Sequence, residues 1–308
     1  EDLQIRMRAL FGEGNVSYLL GDVRDQNRMR LALQGVECVI HAAALKHVPG
    51  GEYDPGEFVG VNVLGTQTTI HAALFAGVQQ FVLLSSDKAV QPVNFYGATK
   101  MVAERLTVQA NHYSPQGMRL CVTRYGNVMG ARGSVLEVWR AALAAGKPLC
   151  LTDEAMTRFW LWPDEAVRLA LWVVVHGLRG AVVVPHLSAF RLTDLARALL
   201  LDSGAWMVTG RRPGEKLAEV LMTPEEQARA WWYAPEGQTP VHYVIPALIQ
   251  HWGGWDERDL WMVPPTEFAY GRCDGTPHAS VPYASNTWPW RLSVEALRAR
   301  IERQEQGL

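Results

Sequence analysis

Between residues 16 and 125 the chain alternates short, continuous apolar runs with helical patterns, and this alternation restricts the fold more than any other feature. Residues 16–20, 38–41, 81–85 and 119–125 read as strands, and residues 62–75 and 96–111 carry apolar positions at helical spacing. Strands that are apolar along their whole length are buried on both faces. Strands separated by helices form a parallel sheet, and right-handed crossovers make it doubly wound. The predicted class is therefore α/β, a doubly wound parallel sheet of Rossmann type. Beyond residue 131 the alternation weakens. A strand is expected over 181–185, a helix over 192–201 opened by Thr193 or Asp194, and a closing helix over 293–303. Eight of the 12 tryptophans fall from Trp206 onward. The chain divides on this reading into residues 1–130, the sheet domain, and residues 131–308, a smaller C-terminal region.

Composition excludes several classes. Of 308 residues, 48% are hydrophobic and 19% charged, which suits a packed core and argues against disorder. A net charge of −2 implies no basic face for nucleic acid. No stretch approaches the roughly 20 apolar residues of a membrane helix; the most apolar run, 169–175, soon meets His176. Cys38, Cys121, Cys150 and Cys273 show no CxxC or metal-ligand spacing, and the histidines, His41, His47 and His71 among them, read as structural. No metal is expected, and a reducing cytoplasm is the simpler location.

The chain has 24 arginines but only five lysines, Lys46, Lys88, Lys100, Lys147 and Lys216. A lysine that persists where arginine dominates points to work arginine cannot do, such as losing a proton. Lys100 closes a Tyr-x-x-x-Lys pair with Tyr96, which places both side chains on one helix face. A free tyrosine has a pKa of about 10, and a nearby ammonium favours the phenolate and so a general base. Ten residues earlier, Ser86-Asp87-Lys88 stands at the carboxyl end of the 81–85 strand. Ligands of open α/β sheets bind at that edge.

These segments resemble the extended short-chain dehydrogenase/reductase family and, within it, the UDP-N-acetylglucosamine 4,6-dehydratases that invert C5, enzymes of pseudaminic acid and polysaccharide biosynthesis. The resemblance is carried by Gly21-Asp22-Val23-Arg24-Asp25, by His41-Ala42-Ala43-Ala44-Leu45-Lys46-His47, by Ser86-Asp87-Lys88-Ala89 and by Asn94-Phe95-Tyr96-Gly97-Ala98-Thr99-Lys100. It continues in Arg124-Tyr125-Gly126-Asn127-Val128, Arg132-Gly133-Ser134, Met156-Thr157-Arg158 and Arg212-Pro213-Gly214-Glu215-Lys216.

The resemblance implies a hydro-lyase that oxidises C4 of a UDP-sugar, eliminates water across C5 and C6, and returns the hydride to C6. The cofactor it implies is NADP, with NAD possible. Tyr96 would take the C4 hydroxyl proton, with Lys100 lowering its pKa and holding the nicotinamide ribose. Lys88 would remove the C5 proton as a neutral amine. Asp87, with a raised pKa, would protonate the departing hydroxyl, and Ser86 would bond the C4 oxygen. Asp22, Val23, Ala42, Ala43, Lys46 and Val128 would line the cofactor. Lys46, Asn127, Arg132, Arg158, Arg212 and Glu215 would hold the substrate. Residues 1–130 would then be the remainder of the dinucleotide domain and 131–308 mainly the substrate region. The family's opening strand, glycine-rich turn, helix and second strand have no counterpart here, so a truncated sequence is the expectation. A homo-oligomer is implied as well. A 4-epimerase, a C5-retaining dehydratase and a non-catalytic nucleotide-sugar-binding relative are the alternatives.

Overall fold

The computed structural model describes residues 2–12, 15–114, 117–131, 133–200, 205–235, 242–246, 268–272, 283–287 and 291–305. Its centre is a seven-stranded sheet. Cys38–His41, Gln80–Ser86, Arg119–Tyr125 and Val182–Pro185 run parallel, in that order. His242–Ile245, Trp231–Pro235 and Phe268–Arg272 extend the sheet antiparallel. The α/β expectation holds, but the sheet is mixed rather than purely parallel. The added strands, carrying Trp231, Trp232 and Tyr233, are aromatic and β-branched, a composition that fits a pleated surface.

The inner strands show why their sequence is continuously apolar. Phe81, Leu83, Leu120 and Val122 pack with Ile70, Ala73 and Ala103, from helices Thr66–Ala76 and Phe95–Gln109. The residues between them, Val82 and Cys121, pack on the other face with Leu169 and Val173 of helix Pro163–His176. Successive strand residues point to opposite faces, so both faces must be apolar. Each fully buried Leu or Phe contributes roughly 1.5–3 kcal/mol. A second core of Leu136, Trp139, Leu149, Trp160, Phe190 and Leu297 backs a three-stranded sheet containing Asn127–Val128. Residues beyond 131 thus build both this layer and four of the seven strands of the main sheet.

Residues 16–20 form no strand. Leu19 is 58% and Leu20 91% exposed, and no described strand pairs with them. An apolar run becomes a strand only when a neighbour takes its backbone hydrogen bonds, and Cys38–His41 pairs with Gln80–Ser86 alone among the described residues. The expected 192–201 helix spans Leu192–Leu200, with residue 201 outside the described part. Ser293 caps the closing helix Val294–Glu305 by accepting from the Ala296 amide. Most of the tryptophan-rich region, and Cys273, lie outside the described residues. Cys38, Cys121 and Cys150 are free thiols. No described helix is long and apolar enough to cross a membrane.

One buried ionic cluster ties the layers together. Arg124 reaches Glu104 of the Tyr96 helix at 2.6 Å, Glu226 at 2.9 Å and the Leu221 carbonyl at 3.0 Å. Ser85 donates to Glu104 Oε1 at 2.6 Å. The strand that leads into the candidate site is thereby fixed to the helix that faces it.

Candidate active site

Strand Gln80–Ser86 ends in a single 3-10 turn, Asp87–Ala89, capped by the Ser86 hydroxyl, which accepts from the Lys88 amide. Facing it is helix Phe95–Gln109, whose cap is Asn94: its side chain accepts from the Gly97 amide at 2.7 Å. The two segments touch at Gly97, where a Cβ would stand 2.2 Å from the Lys88 carbonyl oxygen. Glycine is required there for backbone to pass backbone. Gly97→Ala is expected to push the Asp87–Lys88 turn off the helix. Because misplacement by about 1 Å can cost 10²-fold, turnover should fall by about that factor, with a lower melting temperature. Initial rates and a thermal melt check both.

The turn and helix bring the expected catalytic residues together. Ser86 Oγ donates to Asp87 Oδ1 at 2.7 Å. The Lys88 amine lies 3.2 Å from the same oxygen and 3.1 Å from Glu219 Oε1. Asp87 is fully buried, and its Oδ2 is buried without a hydrogen-bond partner. Burial first, then the charge of Glu219, raises the Asp87 pKa against the pull of Lys88, as an acid at this position requires. Tyr96 is 9% and Lys100 4% exposed, and Lys100 donates to the Leu84 carbonyl at 2.7 Å.

Two electrostatic expectations are corrected. Burial pushes the Tyr96 phenol up rather than down. The cation seen to oppose this is Lys88, with a hydrogen-bond interaction with Ser86 acting in the same direction. Lys100 itself is brought down to about 8 by burial, despite nearby Glu104. Lys88 is not a neutral amine at rest. Burial disfavours its charge, but Asp87 and Glu219 outweigh burial and hold it well above the ordinary lysine value.

The 212–219 segment closes over the turn. Lys216 donates to the Val90 carbonyl at 2.5 Å, and Asn94 donates to the Gly214 carbonyl at 2.8 Å. Between them Gln91 holds a positive φ of 45°, a conformation rare outside glycine. A groove of about 510 Å³ opens here, lined by Gln91, Val93, Arg211, Glu215 and Lys216 among others. That volume suits a small-molecule ligand. Of the expected substrate residues, Glu215 is on this groove and Arg212 is exposed at the same turn, its amide bonded to Glu215. Arg158 is buried, donating to the Thr157 and Leu217 carbonyls and standing 3.7 Å from Glu215 and 3.9 Å from Glu219. The side-chain oxygen of Asn127 is buried without a partner. Arg132 lies outside the described residues.

The other expected cofactor residues lie on separate segments. Ala42, Ala43 and Lys46 are exposed just past the carboxyl end of Cys38–His41. Asn62 secures that loop, bonding Leu45 at its amide and carbonyl, and donating at 3.0 Å to Thr99 on the Tyr96 helix. Asp22 is a surface carboxylate ion-paired to Arg24 at 2.8 Å, and the Arg24 hydrogen bonds keep it below its usual range. Val23 packs against Gly65, and Val128 is half-buried beside Asn127. His41 is buried against Thr66 and lowered to about 4 by burial and Lys100, a neutral core histidine. His47 caps helix Val48–Tyr53.

The donor set fits one end of a dinucleotide. Past the strand end, Ala42 and Ala43 offer an exposed floor with nothing beyond Cβ. The Lys100 ammonium has three donors, of which Leu84 takes one. Two residues of this neighbourhood, Glu219 and Asn62, escape a reading of the sequence alone. Glu219 sits in a mostly apolar run, 217–222, and Asn62 in the apolar 59–65 segment; a polar residue interrupting such a run signals a buried, partnered group.

Fold and site together define a protein of the short-chain dehydrogenase/reductase type. The chain belongs to the polysaccharide biosynthesis protein family, whose sequence profile matches residues 3–234. It is 40% identical over 227 residues to the UDP-N-acetylglucosamine 4,6-dehydratase (inverting) of Campylobacter jejuni strain 81-176, spanning 72% of this chain and 67% of that protein. It is also 40% identical over 234 residues to the UDP-glucose 4-epimerase of Rickettsia massiliae, spanning 75% of this chain and 69% of that one. The X-ray structure of Pen from Bacillus thuringiensis superposes with a TM-score of 0.83 at 30% identity, covering 98% of this chain and 86% of that one.

Proposed function

We propose that this protein is a nucleotide-sugar 4,6-dehydratase acting on UDP-N-acetylglucosamine with inversion at C5. The observation that carries the reading is the adjacent acid and base, Asp87 fully buried and the half-buried Lys88 amine 3.2 Å from it, beneath the Tyr96 helix. A nicotinamide dinucleotide, NADP in this reading, supplies the oxidant for C4 and the reductant for C6 when bound. Tyr96 and Lys100 hold its nicotinamide ribose, with Ala42, Ala43, Asp22, Val23 and Val128 along its remaining length and Lys46 at its phosphates or those of the substrate. Glu215, Arg212, Asn127, Arg132 and Arg158 hold the UDP-sugar; arginine forks suit its diphosphate.

The protons balance within the pair. Tyr96 takes the C4 hydroxyl proton as a phenolate, a form that burial disfavours and the Lys88 charge partly restores, while Ser86 bonds the same oxygen. At rest the pair is a carboxylate and an ammonium. Moving one proton from Lys88 to Asp87 makes a neutral amine beside a carboxylic acid. The amine then takes the C5 proton, acidic once C4 is a ketone. The C5–H electron pair becomes the C5–C6 double bond, and Asp87 protonates the C6 oxygen, which leaves as water. The pair returns to ammonium and carboxylate.

The second reading, a UDP-sugar 4-epimerase, is favoured by the Rickettsia relative. Epimerisation at C4 needs Tyr96, Lys100 and Ser86 but neither Asp87 nor Lys88. We place the protein in the cytoplasm as a homo-oligomer, with residues 1–130 on the cofactor side and 131–308 mainly on the substrate side. The test is to incubate the protein with UDP-N-acetylglucosamine and NADP and analyse the sugar by mass spectrometry. Loss of one water is expected. A product of unchanged mass with inverted C4 would establish the epimerase instead.

A further inference from the structure

We propose that Glu219 is a positioning residue of this reaction: it holds the Lys88 amine against Asp87 and so keeps a single shared proton on the acid–base pair. The proposal rests on the dehydratase reading above. Glu219 is 2% exposed, and its Oε1 lies 3.1 Å from the Lys88 amine. Its Oε2 is buried without a hydrogen-bond partner. A buried carboxylate is costly unless a cation answers it, so Glu219 and Lys88 define each other's charge. The carboxylate is fixed by its backbone. The Glu219 amide donates to Ser285 Oγ at 3.0 Å, the Ser285 amide donates to the Glu219 carbonyl at 2.9 Å, and Ser285 is hydrogen-bonded to Thr157. A segment about 130 residues from the turn in sequence thus aims one oxygen at the lysine.

The geometry gives Lys88 two carboxylates, of which one can accept its proton and react while the other stays ionised. Asp87 is the reactive partner because burial and the charge of Glu219 favour its protonated form against the pull of Lys88. Glu219 stays ionised because Arg158 and Lys216 act on it together with Lys88. When Lys88 takes the C5 proton, the ammonium that forms is already paired. Lys88 faces Asp87 on its own turn, Glu219 and Lys216 on the covering segment, Arg158 on strand Thr157–Leu161 and Tyr96 on the opposing helix.

The sign of the pH effect follows. The working pair carries one proton: a second disables the base, and loss of the first disables the acid, so activity is bell-shaped with pH. A neighbouring negative charge raises every one of these pKa values, including that of Tyr96. Glu219→Gln removes it, and both limbs should move to lower pH by about one unit. Turnover at the wild-type optimum should fall at least about tenfold, with KM for the UDP-sugar little changed. Glu219→Asp keeps the charge and should keep the limbs where they are.

The experiment measures kcat against pH for the cofactor-loaded wild type and both variants. A merely structural role lowers the height of the bell without moving it, so a Glu219→Gln profile with wild-type limbs overturns the proposal. Should Glu219→Gln not fold, a 15N titration of the lysine side chains in the wild type decides. With five lysines in the chain, the Lys88 signal is the one lost in Lys88→Arg. It should remain an ammonium to higher pH than an ordinary lysine, about 10.4; titration below that value overturns the proposal. That titration needs no turnover, whereas absence of a dehydrated product from the wild type refutes the function itself, so the two failures are distinct.

Discussion

Lys88→Arg is expected to leave the protein folded and to lower dehydration by roughly 10²- to 10⁴-fold, the range lost with a general base. Arginine keeps a cation between Asp87 and Glu219 and so preserves the buried charge balance, but it does not give up its proton. The contrast with Lys88→Ala is informative. Alanine abolishes activity too, yet leaves buried Asp87 without its ion-pair partner and Glu219 answered only by the more distant Arg158 and Lys216, and should cost up to roughly 3–5 kcal/mol of stability. Rates by product mass, read beside urea unfolding of each variant, separate the chemical role of Lys88 from its structural one. Arginine at 88 with near wild-type turnover would exclude Lys88 as the base.

The second large effect concerns stability. Arg124→Ala strands Glu104 and Glu226 without their cation, and breaking a buried pair from one side costs roughly 3–5 kcal/mol. The effect is pH-dependent. Burial favours the neutral form of Glu226, but the Arg124 charge and hydrogen bonds outweigh it and hold the carboxyl below its ordinary value of 4.5. A depressed folded pKa contributes stability above the unfolded value and loses it as pH falls through the folded one. The gap between wild type and Arg124→Ala should therefore be full at neutral pH and narrow below pH 4.5, as urea titrations across that range measure.

The inner sheet and helix Phe95–Gln109 are legible from the sequence because their signals are local. Strand Arg119–Tyr125 and the start of the Tyr96 helix follow from apolar runs and spacing, and both faces of the strands are buried as the runs imply. Residues 16–20 look the same locally and form no strand, because pairing depends on a partner that a local pattern does not contain. The antiparallel extension was missed for the same reason. Ser86, Asp87, Lys88, Tyr96 and Lys100 do converge at one sheet edge. Their charge states were read less well. The helix spacing points to Lys100 as the cation beside Tyr96, whereas Lys88, from the facing turn, lowers its pKa against burial. Glu219, which fixes the Lys88 charge, comes from a segment distant in sequence. Its only local trace is an acid in an apolar run.

The most direct test of the central claim is the NMR spectrum of the product formed from UDP-N-acetylglucosamine in deuterated water. Removal of the C5 proton by Lys88, followed by delivery of a solvent-derived proton to the opposite face of C5, predicts a 4-keto-6-deoxy sugar, inverted at C5 and carrying solvent deuterium there. A product that retains C5 configuration with protium in place, or a sugar changed only at C4, would contradict an acid–base role for the Asp87–Lys88 pair.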